Sequence, residues 1–117
     1  MERIACLDFD RGFVGHGPAR RVLAQQQVRE RARAIADRVR SRLEEIRGAI
    51  AAKPGAVGTD VAKTIPRSAR TDSWSDVPFM KRFIMYCEVD AYLEHLVRTG
   101  EVERALVDGV WKYAVKA

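Results

Sequence analysis

From residue 19 to about 52, the apolar positions Val28, Ala32, Ile35, Val39, Leu43, Ile46 and Ile50 follow one another at steps of 4, 3, 4, 4, 3 and 4. That spacing keeps them on one face of a helix. Val28 to Val39 and Val39 to Ile50 are eleven-residue repeats, so the stripe barely winds about a straight axis. A continuous helix over 19–52 would be roughly 50 Å long, and its stripe is longer than one small core requires. Lys53-Pro54-Gly55 ends it. Thr59 then caps a short helix over 60–65 that buries Val61 and Ile65, and Pro66 stops it. Ile46, Ile50, Val57, Val61 and Ile65 are the expected core of this region.

A polar loop of ten residues, 67–76, follows. Ser75 or Asp76 caps the next helix, with Pro78 tolerated in its first turn. Phe79, Phe83, Tyr86 and Val89 or Asp90 fall at helical spacing, which predicts a third helix from about 77 to 99. A start at Glu88 is the alternative. The run Val89, Leu93, Leu96 and Val97 stops at Gly100, a residue suited to a left-handed cap. Two β-prone runs joined by Asp108-Gly109 then predict a hairpin. A two-residue turn pairs Val107 with Val110, Leu106 with Trp111, Arg104 with Tyr113 and Val102 with Val115. Alternation puts Val102, Leu106, Trp111, Tyr113 and Val115 on one face, with Trp111 and Tyr113 read as core. Only Arg104 is polar there, and its stem can lie across an aromatic ring.

Residues 1–18 form an N-terminal segment, with a short strand over 3–9 and a loop at Gly15-His16-Gly17-Pro18. Ile4 to Asp10 resembles the first motif of haloacid-dehalogenase phosphatases, an apolar strand before Asp-x-Asp. The likeness covers seven residues, and the chain has no room for that family's doubly wound sheet. Solvated carboxylates at Asp8 and Asp10 are the simpler reading.

Together these elements give a mainly α protein with a small C-terminal β-hairpin. The helix, the glycine stop and the one-faced hairpin resemble a winged helix-turn-helix domain over 43–117, preceded by the long arginine-rich helix of 19–53. The resemblance implies DNA binding through the N-terminal half of the third helix.

Charge adds to that expectation. The net charge is +5, but it is uneven. Residues 1–53 carry twelve Lys/Arg against seven Asp/Glu, and 54–87 carry five against three. Residues 88–117 reverse the sign, four against six. Eight arginines lie from Arg20 to Arg42, a density beyond what solubility needs. The expected function is therefore a small, non-catalytic DNA-binding protein, a transcriptional or mobile-element regulator. Its nucleic-acid contacts would come from Arg67, Arg70, Lys81, Arg82, Tyr86 and Lys112, with Arg29, Arg33 and Arg40 on the long helix.

The alternative is a winged-helix protein-interaction module, an accessory factor or an inhibitor with an acidic partner. A wing tip without basic residues, an acidic C-terminal third and Trp74 in a polar loop favour it. Trp74 is either a core plug or the exposed anchor for such a partner, and Val28, Ile35 and Val39 are the expected stripe for a homodimer.

Catalytic patterns are few. There is no Gly-rich phosphate loop and no Ser/His/Asp or Cys/His arrangement. Glu44 and Glu45 are adjacent, so they point about 100° apart on a helix. His16 and His95 are solitary, and Cys6 and Cys87 read as buried or bystander thiols without metal-ligand spacing. No metal, cofactor or membrane span is expected. The N-terminus lacks a signal-peptide pattern, so the expected location is the cytoplasm, or the nucleoplasm if the source has a nucleus.

Overall fold

The computed structural model describes residues 1–13, 22–65 and 73–117, in two compact units, Met1–Arg42 and Leu43–Ala117. The first unit holds α1 (Glu2–Ala5), β1 (Arg11–Phe13), β2 (Val22–Ala24) and the opening turns of α2 (Gln25–Ala52). β1 and β2 are antiparallel, pairing Arg11 with Ala24, Gly12 with Leu23 and Phe13 with Val22. The buried residues are mostly small: Ala5, Leu23, Ala32 and Ala36. Gly12 is required for close approach, because a Cβ there would run into the Val28 side chain.

Two expectations for this unit are corrected. The strand predicted over 3–9 is a single helical turn, α1, followed by irregular chain, and Ile4 and Leu7 are exposed. The strand forms later, at Arg11–Phe13, where β2 supplies a partner ladder. The long helix begins at Gln25, later than expected, because Val22 to Ala24 are drawn into that ladder. Its first turn is secured by the Ala24 N–H, which donates to Gln27 Oε1 at 3.0 Å, half of a capping box. Cys6 and Cys87 are free and exposed, so neither is a core thiol.

The second unit comprises the end of α2, β3 (Ala56–Val57), α3 (Gly58–Thr64), a 3-10 turn at Trp74–Asp76, α4 (Phe79–Arg98), β4 (Val102–Val107) and β5 (Val110–Val115). Its sheet has the order β3-β5-β4, antiparallel throughout. The core joins Ile46 and Ile50 of α2, Val61 and Ala62 of α3, Val89, Leu93 and Leu96 of α4, and Val102 and Tyr113 of the hairpin. Each fully buried Ile or Leu contributes about 1.5–3 kcal/mol. Val57 is half-buried rather than central.

β3 was not expected: Ala56 and Val57 pair with Tyr113 and Lys112, and the Gly55 N–H donates to the Tyr113 carbonyl at 2.8 Å. Gly55 reaches this position with φ +81°. α3 starts at Gly58 with Val57 as its N-cap and no side-chain cap, so Thr59 does not have the expected role. Asp60 in its first turn pairs with Lys53 at 2.8 Å. The hydrogen bond from that ammonium holds the Asp60 carboxyl below its usual range.

α4 adopts the long form, with Pro78 as its N-cap and without a cap from Ser75 or Asp76, which lie in the 3-10 turn. It ends in a Schellman motif. The Glu101 N–H donates to the Leu96 carbonyl at 3.0 Å and the Gly100 N–H to Val97 at 3.1 Å, with Gly100 at φ +77°. The hairpin has the predicted register from Val102↔Val115 to Val107↔Val110. Asp108 and Gly109 both take positive φ, as a type I′ turn requires. Only the base of the hairpin's inner face is covered, however: Val102 and Tyr113 are buried, while Leu106 is 60% and Trp111 44% exposed. Trp111 is thus not core. Among the described residues, no helix is long and apolar enough to cross a membrane.

Candidate interaction surface

The N-terminal half of α4 places four large apolar side chains in solvent. Phe79 is 70% exposed, Met80 62%, Phe83 53% and Ile84 61%. Phe79 and Phe83 stack one turn apart, with ring centroids 6.4 Å from each other. Buried Val77 anchors the chain just before the helix, and Val89 and Leu93 anchor its second half. The first two turns therefore present one apolar face to solvent while Arg82 and Met85 stay half-buried. Surface apolar side chains occur singly in most proteins, whereas four on one helical segment make a candidate contact surface.

The cations expected beside this segment behave differently from one another. Lys81 is exposed, but Arg82 is half-buried, and its Nε is enclosed without a hydrogen-bond partner. Tyr86, the next residue of the predicted set, lies against α3: a Cβ on Gly58 would stand 3.3 Å from Tyr86 Cε2. Gly58 is the residue that lets the ring approach. Lys112 is exposed on β5 and neighbours buried Tyr113, so alternation directs it away from the α4 face. Lys112 does not join Lys81 in one patch. Arg67 and Arg70 lie outside the described residues, as does His16.

In the first unit, Arg29 is half-buried and donates to Asp8 Oδ1 at 3.0 Å and to the Leu7 carbonyl at 2.9 Å. Arg40 donates to Asp37 at 2.6 Å and also pairs with Glu2. Both arginines are internally neutralised, and Arg33 remains exposed. Of the expected dimer stripe, Val28 and Ile35 are half-buried and Val39 is exposed. Trp74 is half-buried and packs against the core of the second unit.

Sequence reasoning did not identify a cleft of about 260 Å³ within the second unit. It lies between the start of α3, the middle of α4 and the hairpin end, and is lined by Tyr86, Asp90, Val110, Trp111 and Tyr113, among others. Tyr86 and Asp90 are four apart on α4, hence on one face. No described hydrogen bond or ion pair occupies the Asp90 carboxylate. Burial pushes the Tyr113 hydroxyl above its ordinary value; a hydrogen bond with Arg104 opposes this, and the Asp90 charge adds to it. The one sequence sign of this cleft was the helical spacing of Tyr86 and Asp90.

Among the described residues, no three His, Cys, Asp or Glu side chains gather where a metal ion would be held. No family model and no curated protein matches the chain. Among solved structures, it is similar to the crystal structure of a β-lactamase domain protein from Burkholderia ambifaria, with a TM-score of 0.69 at 23% identity. The match covers 97% of this chain and 31% of that chain, so the chain spans about a third of the neighbour's length.

Proposed function

We propose that this chain is a non-catalytic docking module on a winged-helix plan, and that the first turns of α4 seat on a larger, β-lactamase-type domain. The carrying observation is the exposure of Phe79, Met80, Phe83 and Ile84 on one anchored helical segment. Bringing such a surface out of water stabilises an interface by about 25 cal/mol per Å² of apolar area, offset by the cost of association. The order helix, short strand, helix, helix and hairpin, with β3 added to β5, supports the winged-helix plan. The occupant is suggested by the neighbour, in which a segment of this shape accounts for 31% of a β-lactamase domain protein.

DNA binding is the second reading, and exposed Lys81 and Arg33 favour it. It has less support. Arg29 and Arg40 are tied to carboxylates, and the helix half that would enter the groove presents mainly apolar side chains.

A photo-cross-linking benzoylphenylalanine at Phe83, expressed in the native protein in its own cells, tests the reading. The expected adduct lies on a β-lactamase-type domain, in the same polypeptide or in another. An adduct on nucleic acid or on an unrelated protein, or no adduct, overturns it.

A further inference from the structure

We propose that the cleft between α4, the start of α3 and the hairpin end binds an organic monocation, an alkylammonium or alkylguanidinium head. It rests on observations separate from the docking surface. Three aromatic residues, Tyr86, Trp111 and Tyr113, share its wall with the carboxylate of Asp90. Ring faces carry negative potential and attract cations, most strongly at an indole. One face of the indole is already used in this way, by the Arg104 guanidinium 4.5 Å from the Trp111 ring centroid, which leaves the opposite face and the two tyrosines for a ligand.

Charge balance selects a cation over an anion. Glu94 holds Arg104 at 2.7 Å and Arg98 at 3.3 Å, and neither arginine is among the residues that line the cleft. Asp90 is left as the cleft's own charge, exposed and without a described partner. A phosphate or carboxylate would face Asp90 without a free cation to meet it. A volume of about 260 Å³ suits one small head group rather than a drug-sized ligand.

Titration followed by two-dimensional NMR tests the assignment, reading the Trp111 indole N–H and the Gly109 amide. The probes are tetramethylammonium, n-butylguanidinium and the neutral isostere 3,3-dimethyl-1-butanol. Saturable shifts with Kd on the order of a millimolar are expected for at least one cation. Asp90→Asn and Trp111→Leu should each weaken binding about tenfold, because each removes one of the two attractions. Both residues are exposed, and an unchanged Trp74 indole resonance verifies that the variants are folded.

A response to n-butylguanidinium alone assigns the cleft to an arginine side chain of a protein. A response to tetramethylammonium assigns it to a small free ammonium compound. Equal shifts with the neutral isostere, full binding by Asp90→Asn, or no shift at about 50 mM cation overturn the proposal. None of these outcomes bears on the Phe83 cross-link.

Discussion

Arg104 lies over the ring of Trp111, its guanidinium carbon 4.5 Å from the ring centroid. The two are diagonal neighbours on one face of the hairpin, since Arg104 pairs with Tyr113 and Leu106 with Trp111. Glu94 of α4 holds the same guanidinium at 2.7 Å and receives Arg98 from one turn away. One arginine thus ties the hairpin to the helix and covers an indole that the core does not reach.

The Glu94 contact has a pH signature. Hydrogen bonding from Arg104, then its charge, lowers the Glu94 pKa below its ordinary 4.5. A carboxylate with a depressed folded pKa adds stability that is complete above the unfolded value and is lost as pH falls through the folded one. Melting temperature should therefore fall as the solution is acidified below about 4.5, the unfolded value. In Glu94→Gln that part of the acid slope should flatten. Thermal melts by circular dichroism between pH 6 and 3, roughly the carboxylate range, give the comparison. An unchanged slope would mean that the pair makes no net contribution, as for many exposed ion pairs.

Two leucines of the second unit should behave oppositely. Leu93 is fully buried, and Leu93→Ala should cost about 3 kcal/mol through lost burial and the cavity left behind. Leu106 is 60% exposed, and Leu106→Ala should stay within about 0.5 kcal/mol of the parent. Urea unfolding checks both. A large loss at Leu106 would show that the hairpin's outer half is covered in solution.

How much of this could be read from the chain depends on what each signal encodes. Asp108-Gly109 determines a turn type, and the turn determines every pair of the hairpin, so the register was legible. The stripe through Val89, Leu93 and Leu96 likewise gave the packed half of α4. Period-two alternation marks which face Trp111 occupies but not how far the core extends along it, and Trp111 proved exposed. β3 has two residues, too few for any periodicity, and exists because β5 offers it an edge. The exposed segment at Phe79 was legible only as helical spacing, because spacing does not distinguish a face that is covered from one that is not. The Asp90 cleft needed tertiary structure, since its walls come from three separate elements.

Glycines within the second unit predict opposite signs for the same substitution. A Cβ at Gly48, inside α2, would meet nothing within 4 Å. Gly48→Ala should raise stability by roughly 0.5–1 kcal/mol by removing backbone freedom from the unfolded chain. Gly100 also has open space around it, but φ is +77°. Gly100→Ala should lower stability by about 1 kcal/mol through left-handed strain. Denaturant midpoints of the two variants, measured side by side, separate backbone conformation from packing.

The docking and DNA readings diverge most clearly in salt dependence. If α4 entered a groove, Lys81 and Arg82 would each neutralise a phosphate, and the slope of log K against log salt would drop by about two in Lys81→Ala/Arg82→Ala. Arg82 is half-buried and its Nε is enclosed, so it is poorly placed for that role. Arg29 and Arg40 would have to leave Asp8, Asp37 and Glu2 before binding phosphate. The expected result with random duplex DNA is weak binding at low salt and a slope that the double variant leaves unchanged. Fluorescence anisotropy of a labelled duplex across a salt series gives both quantities. Micromolar-range binding with a slope reduced by about two in the variant would instead place α4 on DNA and remove the support for the docking reading.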